Sequence, residues 1–150
     1  VTLALTPALS GAARAGCAPD RVEFGTPGAP AAFTVEIADT PAERERGLMF
    51  RTAMAPDAGM IFVYPAPGHP YFWMKNTLIP LDMIFIEPSG RVARVKPMAA
   101  PGDLTAVDGG AGVQFVLEIN GGLAERLGIG PGVAMRSALV PQAGAAWPCD

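Results

Sequence analysis

Histidine is almost missing from these 150 residues: His69 stands alone, and the only cysteines are Cys17 and Cys149. One imidazole and two distant thiols cannot supply the close ligand spacing of a structural zinc site. A Ser-His-Asp arrangement could run only through His69, which sits in the loop Pro65-Ala66-Pro67-Gly68-His69-Pro70 without a nearby partner. There is no G-x-S-x-G nucleophile turn, and no glycine-rich loop follows a strand to cradle phosphate. Charge is sparse at 17%, net −3, with no basic run, which argues against a nucleic-acid backbone as partner. The apolar run near the start is broken by Pro7 and Gly11 and is too short to span a bilayer.

What is present describes one folded domain. Half of the residues are hydrophobic, which excludes disorder as an overall description. The length suits a single core. Residues 1–15, VTLALTPALSGAARA, read as the end of a secretory signal peptide, with Ala13-Arg14-Ala15 as an A-x-A cleavage signal. Residues 16–32 then read as an N-terminal extension, 33–136 as a β domain and 137–150 as a C-terminal tail. The expected location is periplasmic or secreted. There Cys17 and Cys149 would form a disulfide tying the ends together. The competing reading makes Cys17 a lipid-modified N-terminus, although Arg14 occupies the place where a lipoprotein signal wants an aliphatic residue.

With 18 glycines and 16 prolines, turn signals come often and helices must be short. Phe33, Val35 and Ile37 alternate with Thr34 and Glu36 as a strand. Thr40-Pro41-Ala42-Glu43 is a capping box with proline at the first helical position, and it starts a helix from Pro41 to about Arg46 that Gly47 ends. Residues 59–64, 71–75, 81–87, 91–96, 114–119 and 133–136 read as further strands, 122–128 as a second helix and 97–112 as a loop. The expected fold is all-β with one or two short helices, a compact sandwich or barrel of about seven strands.

The candidate site is the stretch Phe72-Trp73-Met74-Lys75-Asn76-Thr77 and its return at Leu81-Asp82-Met83. A cation and a carboxylate inside apolar segments each need a partner or a purpose. If residues 76–81 form a hairpin loop, Lys75 and Asp82 lie opposite each other. Glu118 sits on a strand face with Val116, and helix charges at 43–46 and Arg51 are within sequence reach. Two readings stand open. The charges could be ion pairs, Lys75 with Asp82 and Arg46 or Arg51 with Glu118, that fix strand register. They could instead line a polar pocket built from Arg46, Arg51, Trp73, Lys75, Asn76, Asp82 and Glu118. Asp82 and Glu118 would then be the candidate catalytic carboxylates, as an acid/base pair. Met49, Met60 and Met74 could offer thioethers to Cu(I), or simply fill core gaps. No other cofactor is expected.

The motifs Glu45-Arg46-Gly47-Leu48-Met49-Phe50-Arg51, Gly59-Met60-Ile61-Phe62, Phe72-Trp73-Met74-Lys75-Asn76-Thr77, Pro80-Leu81-Asp82, Val116-Leu117-Glu118 and Gly122 resemble the family called domain of unknown function 192, over roughly residues 33–136. The resemblance implies a small, often exported β-rich domain with a barrel- or sandwich-like fold. It directs attention to Arg46, Arg51, Trp73, Lys75, Asn76, Asp82 and Glu118 and implies no reaction. The cysteine pair and the tail lie outside it. The expected function is an exported single-domain β protein that binds a small polar ligand or an envelope partner. The alternatives are a hydrolase or lyase using Asp82 and Glu118, and a Cu(I) carrier.

Overall fold

A computed structural model of the chain describes residues 16–150, so the signal-peptide reading of residues 1–15 lies outside the described residues. Nine strands and two short helices follow in order: β1 (Arg21–Phe24), β2 (Ala31–Ala38), α1 (Pro41–Arg46), β3 (Ala58–Gly68), β4 (Tyr71–Phe72), β5 (Leu81–Ile86), β6 (Val92–Ala99), β7 (Val107–Asp108), β8 (Val113–Asn120), α2 (Leu123–Leu127) and β9 (Met135–Arg136). Seven of them form one sheet in the order β6-β5-β8-β3-β2-β1-β9, and β4 pairs with β7 apart from it. A bridge between Arg91 and Ala134 joins the two outer strands at one end, so the sheet curls into a half-barrel. No helix among the described residues is long and apolar enough to cross a membrane.

The β2–β3 pair is parallel, while the other strand pairs are antiparallel. A parallel pair needs a crossover, and α1 with residues 47–57 supplies it. Thr40 and Glu43 close the capping box that the sequence predicts, and Gly47 ends the helix. Gly47 turns at φ 48°, and a Cβ there would press on the Phe62 ring at 3.2 Å. This close turn sets the residues after α1 onto one face of β3.

The three central strands are buried on both faces, which is why β3, β5 and β8 contain near-continuous apolar runs. Phe33, Ile61, Ile84, Phe115 and Leu117 pack inside the half-barrel. Phe62, Met74, Met83, Phe85 and Val116 pack on the outer face, under the crossover and the 71–81 segment. The Cys17–Cys149 disulfide is formed. The segment 16–32, read from sequence as an extension, contributes β1 to the sheet, between β2 and β9.

Two expectations need correction. Residues 71–75 and 81–87 do not form a hairpin: β4 pairs with β7, and β5 lies between β6 and β8. The backbone after Phe72 is instead held by turns, with Thr77 N–H donating to Met74 O. Pro80 cannot donate a ladder hydrogen bond, and β5 starts afresh after it. The stretch 97–112 is also no simple loop, because β6 runs on to Ala99 and β7 lies within it.

Candidate functional site

The outer face of the sheet is built by period-two alternation. Met60, Phe62 and Tyr64 lie on one side of β3, and Val116 and Glu118 lie on the matching side of β8. Glu118 stands in register with Met60 on one neighbour and Met83 on the other. It is a carboxyl set among thioethers and rings, 4% exposed. No hydrogen bond among the described residues reaches it, and burial pushes its pKa up to about 8. At neutral pH it therefore carries its proton, because the charged form would lose its hydration without gaining a partner.

Glu118 forms the floor of a cleft of about 180 Å³. One wall is the end of α1 and the turn after it, from Arg44 to Met49. The other is the 71–77 segment, with Phe72, Trp73, Lys75 and Thr77. Arg44 is fixed in place: its Nη1 donates to the carbonyls of Asp39 at 2.8 Å and Val63 at 2.9 Å. Its guanidinium lies 5.0 Å from the centre of the Tyr64 ring. Burial raises the Tyr64 pKa, the Arg44 charge opposes that, and Glu118 adds to it. Across the cleft the Lys75 ammonium lies 5.1 Å from the Trp73 ring, a cation–π contact. Arg46 and Lys75 make no salt bridge among the described residues.

The structure thus gathers Arg46, Trp73, Lys75 and Glu118 around one cleft. Asn76 sits at its margin, lining a second, adjoining cleft. Its backbone is left-handed, φ 53°, a conformation asparagine tolerates. Its carbonyl accepts from Phe50 N–H at 2.7 Å, and its amide approaches Met49 Sδ at 3.9 Å.

Asp82 and Arg51 are placed elsewhere. Asp82 stands opposite Ile119, one residue out of phase with Glu118, so the two carboxylates project from opposite faces of the sheet. Asp82 is fully buried. Its Oδ1 accepts from the N–H groups of Met98 at 2.8 Å and Gly122 at 2.9 Å, and its Oδ2 accepts from Ala124 at 2.8 Å. The anticipated Lys75–Asp82 ion pair is therefore absent, since backbone donors satisfy Asp82 and no hairpin aligns the two residues. Arg51 pairs with Glu36 on β2 through its two terminal guanidinium nitrogens, Nη1 and Nη2, and holds that carboxyl below its usual range. It does not reach Glu118. Met60 and Met74 are packed in the outer-face core, and Met49 lines the cleft. No group of three or more His, Cys, Asp and Glu that could hold a metal occurs among the described residues. His69 is not a lone loop residue: it pairs with Asp108 and stacks on Tyr71 at 4.9 Å.

Arg44 and Tyr64 complete the cleft and were not singled out from sequence as site residues. The signal for Tyr64 was available: it continues the Met60, Phe62 alternation and is the first residue of that face with a polar tip.

The profile of the DUF192 family, described as Uncharacterized ACR, matches residues 22–137. The match starts earlier than the motifs alone suggest and takes in β1. A crystal structure of a protein of unknown function from Novosphingobium aromaticivorans DSM 12444 is 43% identical, covering 77% of this chain and 82% of that one, at a TM-score of 0.75. Another, from Sinorhizobium meliloti 1021 and described as a candidate transcription regulator, is 39% identical, covering 85% of this chain and 99% of that one, at a TM-score of 0.78. No curated protein matches.

Proposed function

We propose that this chain, which belongs to the DUF192 family, is an exported protein that binds a small polar ligand in the cleft over Glu118. One observation carries the reading: a buried carboxyl without a hydrogen bond, facing a cleft rimmed by Arg44, Arg46 and Lys75. The Glu118 carboxyl opens onto the cleft, where a ligand hydroxyl or carbonyl would hydrogen-bond to it. The rim carries three cations against Glu45, which favours an anionic end on the same ligand. The Trp73 ring, 48% exposed, offers a stacking face. The volume lies below the roughly 300–1,000 Å³ of drug-sized sites, so the bound group is small. That size also suits a small molecule better than a nucleic-acid duplex, so the regulator description of the Sinorhizobium protein is not carried over. Export is supported by the Cys17–Cys149 disulfide, which persists in oxidising compartments.

A second reading follows from the raised Glu118 pKa. A carboxyl that keeps its proton near neutrality is poised as a general acid. In that reading Glu118 would act without Asp82.

The test uses a small hydroxy acid, 3-hydroxybutyrate, and the indole resonances of Trp73 and Trp147. Trp147 lies under Arg136 and serves as an internal control. Binding shifts the Trp73 signal alone and weakens as pH rises through 8, where the cleft floor becomes an anion. Glu118→Gln keeps both hydrogen-bonding capacities and retains binding at pH 9. Glu118→Leu loses binding at every pH. A Trp73 shift indifferent to Glu118→Leu would reject the site. For the general-acid reading, turnover of an ester or glycoside that Glu118→Gln abolishes would be decisive.

A further inference from the structure

The second cleft, about 540 Å³, is lined by Lys75, Asn76, Thr77, Leu78, Pro101, Gly102 and Leu104. It meets the first at Lys75 and Thr77, which line both. The two differ sharply in character. Five ionisable side chains of Arg, Lys and Glu type face the first cleft, while Lys75 is the only one facing the second among the described residues. Leu78 and Leu104 stand 53% and 63% exposed, although each is large and apolar. The segments that carry them are stitched together by backbone hydrogen bonds. Gly102 N–H donates to Met74 O at 3.0 Å and Thr77 O at 3.1 Å, and Met74 N–H donates to Asp103 O at 2.8 Å. An exposed apolar surface on a pinned backbone is preformed for contact.

We infer that the two clefts are one site for an amphipathic carboxylate: its hydroxylated, anionic head enters the first cleft and its aliphatic tail crosses between Lys75 and Thr77 onto Leu78 and Leu104. This rests on the head-group reading above and adds the class of ligand. Lys75 at the junction matches the carboxylate of such a ligand, and its stem leaves an apolar edge for the first methylenes. Because Lys75 and Thr77 line both clefts, a molecule reaching past them would contact Glu118 and cover the leucines together. A polar ligand without a tail would leave both leucines in water.

The experiment titrates 3-hydroxybutyrate and 3-hydroxyoctanoate into the full chain at pH 6.5, reading the Trp73 indole resonance with Trp147 as control. The longer acid should bind about tenfold tighter, since its four added methylenes are partly covered. Leu78→Ser/Leu104→Ser should remove that difference while leaving the affinity for 3-hydroxybutyrate unchanged. Both side chains are exposed, and an unmoved thermal midpoint confirms that the variant is folded. Equal affinities along the series, with binding still lost in Glu118→Leu, overturn the tail proposal alone and leave the leucine surface to a protein partner. A chain-length effect that survives Leu78→Ser/Leu104→Ser overturns the placement of the tail. Binding of neither acid overturns the head-group reading and the tail proposal together.

Discussion

Glu118 keeps its proton in the folded state because its register partners are Met60 and Met83 rather than cations. This ties stability to pH with a definite sign. The native carboxyl titrates at about 8, against 4.5 for the ordinary group, so between those values the folded state binds more protons than the unfolded one. The contribution of Glu118 to stability is full below pH 4.5, falls as pH rises, and levels off above about 8. The loss amounts to about 5 kcal/mol. Glu118→Gln should be near neutral at pH 4 and should stabilise by about that amount at pH 9 in urea unfolding. A parallel pH dependence in the variant would assign the slope to another group. Of the cleft residues, Lys75 and Glu118 stood out in the sequence because each is a charge inside an apolar run, while Trp73 was marked only by its place beside Lys75. Asp82 breaks one equally, yet its reason is different: the backbone donors that satisfy it come from Met98, Gly122 and Ala124, and no local pattern announces them.

Among the elements, β5 organises the most. Through Asp82 it fixes β6 at Met98 and the start of α2 at Gly122 and Ala124. Charge-assisted bonds of this kind contribute more than neutral ones. Asp82→Ala removes the acceptor from three N–H groups at once, and we expect a loss of about 3–5 kcal/mol. Asp82→Asn, which keeps one acceptor oxygen, should cost less, and the two denaturant midpoints should rank accordingly. A second element, α1, is placed by its capping box, and Thr40→Ala should cost about 1 kcal/mol. α1 was readable to the residue because capping is local chemistry, complete within Thr40 to Gly47. The 71–81 segment was misread because strand pairing is not local. Alternation gives a strand its two faces but does not name its neighbour, and Tyr71 finds Asp108 rather than β5. The Asp82–Glu118 pairing failed for the same reason: a register in which Asp82 meets Ile119 sends the two carboxylates to opposite sides.

For the whole molecule, the disulfide closes nearly the entire described chain. A crosslink across 132 positions contributes about 5 kcal/mol by restricting the unfolded state. Cys17→Ser/Cys149→Ser should lower the thermal midpoint by about 15 °C, read by calorimetry without reductant. The domain class was visible from composition, since frequent Gly and Pro turns leave room only for short helices. The closure of the half-barrel was not visible, because the Arg91–Ala134 bridge joins positions far apart in the chain. The crosslink also decides how the protein bears load. Tension applied between residues 17 and 149 runs through a covalent bond, and the hydrogen-bond ladders carry none of it. In a force-extension measurement the intact protein pulled at these points should show no sawtooth. Reduction should release about 450 Å of hidden contour in one or more rips. The sheet becomes a mechanical element only when the sulfurs part.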